Sequence, residues 1–159
     1  MGCETCSHEE VLKKYSGIIS ILRYLSATSQ FSYVDRLSAS MSLDEVRAVI
    51  LEALRTVRSA LDSAIIIEAT DDKVYRCCDI EESVAEIPPY AYGIATKIRV
   101  KNIRGVSRPE EMIGKEILCY RCPTLPSDKE IAEFLDKVSK DLDIAKTIAA
   151  YALTRVGRT

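Results

Sequence analysis

Residues 64–80 read AIIIEATDDKVYRCCDI, where the chain changes from a helical to an extended pattern. Ile65, Ile66 and Ile67 are β-branched, so they crowd the preceding turn of a helix and pack better on a pleated surface. Asp71-Asp72 is a turn signal, and Val74 to Ile80 answers with a second extended run. The stretch predicts a β-hairpin set into a chain whose flanks are helical.

Three S-x-x-E patterns mark helix starts: Ser7 to Glu10, Ser42 to Glu45 and Ser127 to Glu130. In such a box the hydroxyl accepts from a free first-turn N–H and the carboxylate reaches back to the cap. The first opens a helix over about 8–27, striped by Val11, Leu12, Tyr15, Ile18, Ile19, Leu22 and Leu25, and FSYVDRLSASM reads as a short second helix. The second box starts LDEVRAVILEALRTVRSAL, whose core face is Val46, Ile50, Ala53, Leu54, Val57 and Leu61. The third follows Pro126 and predicts one helix to about 156, stopping at Gly157. At about 1.5 Å per residue that helix is roughly 40 Å long and crosses both N-terminal helices.

After the acidic EESVAE and Pro88-Pro89, YAYGIATKIRVKNI reads as a long strand, and KEILCYRC as its partner ending at Pro123. The expected fold is α+β, a mainly helical bundle (7–63 and 127–156) with an inserted antiparallel β-module of about four strands (64–123). All of 1–159 forms one domain in this reading.

At 159 residues the chain is long enough to bury its own core, and with 47% hydrophobic and 29% charged residues it has the composition of an ordinary globular protein. No apolar run reaches a membrane span and no basic leader with an apolar core opens the chain, so a cytoplasmic protein is expected. Net charge is only −2, but it is sorted by segment: residues 64–95 hold two bases and seven acids, residues 96–123 seven bases and three acids.

Catalysis finds little support. His8 is the only histidine, there is no Gly-rich phosphate loop, and no Ser or Cys has a base beside it, so no catalytic residue is named and no enzyme is expected. The six cysteines allow more. Cys3-x-x-Cys6 and Cys119-x-x-Cys122 could supply four thiolates to a zinc ion, but the two pairs are far apart in sequence. Cys77 and Cys78 point to opposite faces of a strand, as Cys119 and Cys122 do, so disulfides between neighbouring strands are natural. Structural disulfides or buried thiols with no cofactor are the first reading, and zinc on Cys3, Cys6, Cys119 and Cys122 is the alternative. Cys6, one residue outside the first helix, is the cysteine whose thiolate the macrodipole favours.

TKIRVKNIRGVSR is the most informative surface feature. Lys97, Arg99 and Lys101 alternate with Ile98 and Val100, while Arg104 and Arg108 follow in the loop. A strand cationic over three successive outer positions tracks a phosphate backbone, or it guards a sheet edge against aggregation. Tyr90 and Tyr92 could stack bases, but their register sets them opposite Lys97 and Arg99 unless Gly93 carries a bulge, and they read as buried. Arg47, Arg55 and Arg58 gather on one flank of their helix as a second basic group.

FSYVDRLSASMSLDEVRAVILEAL and SDKEIAEFLDKVSKDLDIAKTIAAYAL together resemble the small subunit of the archaeal subtype I-A CRISPR Cascade effector complex. The resemblance implies a non-enzymatic subunit for antiviral defence, working with other Cascade subunits, guide RNA and target DNA, and with no membrane partner. Weak self-association stays open. The resemblance carries no functional-residue motif, so the candidate nucleic-acid contacts rest on charge: Lys97, Arg99, Lys101, Arg104 and Arg108, then Arg47, Arg55 and Arg58. The alternative function is a protein-interaction module held by zinc or disulfides.

Overall fold

The computed structural model describes residues 10–153 apart from 12, 83–85 and 92. Helices α1 (Ser16–Ala27), α2 (Ser32–Ser38) and α3 (Leu43–Asp62) precede strands β1 (Ile65–Ala69) and β2 (Val74–Glu82). A 3₁₀ turn at Pro89–Ala91 leads to β3 (Ala95–Arg104), a single turn α4 (Pro109–Met112) and β4 (Glu116–Arg121), and the chain closes with α5 (Asp128–Lys140) and α6 (Asp143–Leu153). The class is α+β, mainly helical with a four-stranded antiparallel sheet.

That sheet closes on itself. The order β1-β2-β4-β3 returns to β1, so no strand edge is left open. The hairpin joining β1 and β2 turns at Thr70-Asp71-Asp72, where Ala69 N–H donates to the Lys73 carbonyl at 2.9 Å and Asp72 takes φ +69°. β4 is apolar on both faces: Ile117 and Cys119 fill the barrel with Ile67, Ile98, Val100 and Ile103, while Leu118 and Tyr120 face the helices. β1 lies across the barrel from β4, so its outer face points away from the helical layer.

Two bulges shape the barrel. On β2 the residue passed over is Cys78, since Cys77 pairs with Arg121 and Asp79 with Tyr120. On β3 it is Lys101, since Asn102 pairs with Glu68 and Val100 with Ala69. Each inserts one residue and resets the alternation beyond it.

The helical core centres on Ile18, Ile21, Leu22 and Leu25 of α1 packed with Leu37, Ile50, Phe134 and Ile148. The single 127–156 helix does not form. Asp141 is extended (φ −151°, ψ 99°) and its Oδ1 accepts from Asp143 N–H at 3.1 Å, so the aspartate side chain takes a donor that helix continuity would use. The chain turns there, and α6 packs on α1 and α2 while α5 packs on α3. At the other end Tyr15 (φ −114°) interrupts the 8–27 stripe, although Ile19 N–H still reaches its carbonyl at 3.0 Å. The long strand is shorter than expected, starting at Ala95 after the 3₁₀ turn. The Ser7 box, His8 and the helix end near 156 fall outside the described residues.

Two capping boxes lie within the described chain, and both depart from the standard exchange. Ser42 and Ser127 accept from the N–H of Glu45 and Glu130 at 3.2 and 3.1 Å. The carboxylates go elsewhere: Glu45 accepts from Met41 N–H, and Glu130 from Ile18 N–H at 2.7 Å, across to the start of α1. This reach requires Gly17. A Cβ there would sit 2.5 Å from Pro126 Cα and 2.9 Å from Glu130 Oε1. Burial raises the Glu130 carboxyl above its usual range, and the N–H groups of Ile18 and Gly17 draw it partly back.

Candidate nucleic-acid interface

β3 presents its charge as the alternation demands. Lys97, Arg99 and Lys101 are exposed, and Ile98 and Val100 fill the barrel. Without a bulge, position 103 would follow outward and 104 inward. The extra residue at Lys101 reverses that, so Ile103 is buried and Arg104 exposed. Arg104 is therefore the last residue of the strand rather than part of the loop, and it continues the cationic row.

The acids that the sequence keeps out of this strand arrive from its neighbours. Lys97 Nζ lies 3.5 Å from Glu116 of β4, and Lys101 Nζ lies 2.8 Å from Asp72 and 3.6 Å from Glu68. The hydrogen bond from Lys101 lowers the Asp72 carboxyl below its usual range and raises the Lys101 ammonium above its own. Arg99 Nη1 donates to the Gly114 carbonyl at 2.7 Å, which aims the guanidinium across the β3–β4 edge. These pairs are exposed. Surface ion pairs contribute about 0–1 kcal/mol, so a polyanion that releases counterions competes with them readily.

The remaining bases divide. Arg108 pairs with Glu111 at 3.2 Å, and Arg47 with Asp44 at 3.5 Å. Arg55 and Arg58 are exposed on α3 with no ion pair among the described residues, although Arg55 pulls on the Glu52 carboxylate that Arg36 holds at 2.9 Å. Arg104 likewise has no carboxylate at ion-pair distance among the described residues. Tyr92 and the Tyr90 side chain lie outside what is described.

Beneath the interface, β2 and β4 are joined twice. Cys77 bonds to Cys119 inside the barrel, and Cys78, displaced by the bulge, bonds to Cys122 on the side of the helices. In this form Cys119 and Cys122 are not thiolates, so they do not offer themselves to zinc, and Cys3 and Cys6 lie outside the described residues.

Three features had no signal in the spacing of charges. Glu68, Asp72 and Glu116 become partners of the basic strand only through strand pairing, though the acidic and basic segments stand side by side in the sequence. Arg23 lies half-buried in α1, its Nη2 donating to the Tyr151 carbonyl at 3.2 Å in the last turn of α6, where a cation complements the helix dipole. Burial lowers its guanidinium from its usual value. Tyr24 is buried between α1 and the barrel, and burial with the Asp79 charge pushes its phenol up to about 12.

No described helix is long and apolar enough to cross a membrane. A family model described as CRISPR-associated protein (Cas_Csa5) matches residues 21–155, from within α1 through the barrel to the end of α6. No individual curated protein matches the chain.

Proposed function

The chain belongs to the Cas_Csa5 family of CRISPR-associated proteins, and on that premise we propose that it is the small subunit of an archaeal subtype I-A Cascade effector complex. It acts in the cytoplasm as a non-enzymatic part of antiviral defence. In an RNA-guided complex, base pairing reads the target, while protein surfaces hold the heteroduplex and the displaced strand. The role proposed for this chain is the second: it joins the other subunits around the guide RNA and steadies the opened target.

One observation carries this reading. Lys97, Arg99, Lys101 and Arg104 form a continuous exposed cationic row on a rigid barrel strand, kept in phase by the bulge at Lys101. Glu116, Glu68 and Asp72 stand beside this row and the whole chain carries a net charge of −2, so the isolated chain binds nucleic acid feebly, and the assembled complex supplies the remaining contacts. Arg108, Arg47, Arg55 and Arg58 are secondary contacts. Reconstituting the complex with K97E/R99E/K101E tests the assignment: weaker binding of target DNA, most evident at low salt, supports it, and unchanged affinity removes these residues from the interface.

A protein-interaction module is the second reading, favoured by the two disulfides that hold β2 to β4. A stapled barrel presents a firm surface to a protein partner as well as to nucleic acid. Loss of co-purification with the effector subunits in the same triple variant favours this second role, whereas normal assembly with weakened target-DNA binding favours the first.

A further inference from the structure

The outer face of β1 is unusual for a strand that points away from the rest of the molecule. Two cross-strand rows meet on it: Arg76, Ile66 and Arg104, then Val74, Glu68 and Asn102. They border a groove of about 340 Å³ lined by Ile66, Glu68, Val74, Asn102, Ile103 and Arg104. The helical layer covers β4 on the opposite side, so it does not explain why Val74 is left 68% exposed beside a half-buried Ile66. Ile66 and Val74 thus form a small apolar strip within reach of Arg104 on one face.

The polar groups narrow that chemistry. Asn102 Oδ1 accepts from Ile103 N–H at 2.9 Å, which leaves the amide NH₂ to donate outward. The charge of Glu68 is met by Lys101 at 3.6 Å, whereas Arg104 has no carboxylate partner among the described residues. An apolar strip at Ile66 and Val74, an amide donor and a guanidinium with no carboxylate partner among the described residues, all within one groove, suit a flat heteroaromatic ring bearing hydrogen-bond acceptors and joined to an anion. The groove is also continuous with the cationic row of β3, which leads into it at Arg104.

Resting on the nucleic-acid reading above, we propose that this groove seats one unpaired nucleotide of a single strand. The base lies against Ile66 and Val74, Asn102 donates to its edge, and Arg104 holds its phosphate. The strand then runs from the groove along Arg104, Lys101, Arg99 and Lys97. Seating a base here needs no sequence readout, because every base has a π-face and at least one edge acceptor.

The test compares two fluorescent single strands of equal length, oligo(dT) and an abasic deoxyribose-phosphate strand. Each is titrated with the full chain at low salt and with the reconstituted effector complex. The expected result is a preference of about fivefold for oligo(dT), which burial of about 40 Å² of apolar surface against Ile66 and Val74 supplies. V74S, which leaves the charge of the groove unchanged, reduces that preference while abasic binding changes little, and the exposure of Val74 makes the substitution safe for folding. R104Q weakens both strands and lowers the salt slope by about 0.7, as expected for one single-strand phosphate contact. Equal binding of both strands by the unmodified protein overturns the nucleotide seat and leaves the phosphate-tracking strand standing. Binding of neither strand by chain or complex overturns both.

Discussion

Breaking the two disulfides should cost more together than the sum of breaking each alone, because they close two overlapping loops that share almost all their residues. Cys77 and Cys119 are separated by 42 positions, and loop-closure entropy assigns such a bridge about 4 kcal/mol. With that bridge in place, Cys78–Cys122 closes only the few residues between the two bridges, one step along β2 and three from Cys119 to Cys122 just past the end of β4. The same expression gives about 2 kcal/mol for so short a loop. Removing either bridge therefore loses about 2 kcal/mol, and removing both about 6 kcal/mol. C78A/C122A is the cleaner single test, since Cys77 and Cys119 also fill the barrel and their loss adds a packing penalty. Thermal unfolding followed by circular dichroism reads the difference. For a domain of this size the reduced protein melts roughly 12–24 °C below the oxidised one, and C78A/C122A roughly 4–8 °C below. Equal midpoints with and without reductant, or a double loss no greater than the two single losses, refute the argument.

Three further outcomes follow from other parts of the molecule. G17A forces a Cβ to 2.5 Å from the Pro126 backbone, which cannot swing aside as a side chain would; overpacking of about 1–3 kcal/mol should lower the melting temperature, and an unchanged or higher value contradicts the close approach. E68Q/D72N removes both carboxylates that hold Lys101, so it should tighten nucleic-acid binding and steepen its salt dependence; a weakened complex in filter binding counts against the basic row. Folding raises the Tyr24 phenol from 10.0 to about 12, which favours its neutral form. The unfolded chain ionises first as pH rises, so this contribution is intact below 10 and is lost between 10 and 12. Y24F should flatten the fall in stability over that window, and denaturant titrations at several alkaline pH values with identical slopes for both proteins would falsify the assignment.

Much of this fold is legible in local sequence, for reasons that differ by element. The hairpin is readable because Ile65 to Ile67 and the Asp71-Asp72 turn speak for the same structure, and α3 because its stripe and Ser42 cap agree. The break at Asp141 had a signal, two aspartates around Leu142, but the apolar stripe continues in phase across it and outweighs that signal on periodicity alone. Barrel closure has no local signature, since it depends on β1 pairing with β3 across thirty-odd residues. The outward set Lys97, Arg99 and Lys101 needs only strand alternation. Arg104 joins them through a bulge set by its partner strand, which residue spacing does not encode. The acids facing the basic row are legible only as a charge imbalance between neighbouring segments, and the Glu130 hydrogen bond with Ile18 joins residues 112 positions apart.

A salt series decides whether the β3 face meets nucleic acid within an effector complex. Target-DNA affinity of the complex reconstituted with K97Q/R99Q/K101Q is measured beside the unmodified complex from low to physiological salt. The expected result is weaker binding at low salt and a slope of log K against log salt that is shallower by about 0.7–0.9 for each phosphate the variant no longer neutralises. Superimposable lines at every salt concentration, from a complex that assembles normally, would contradict it.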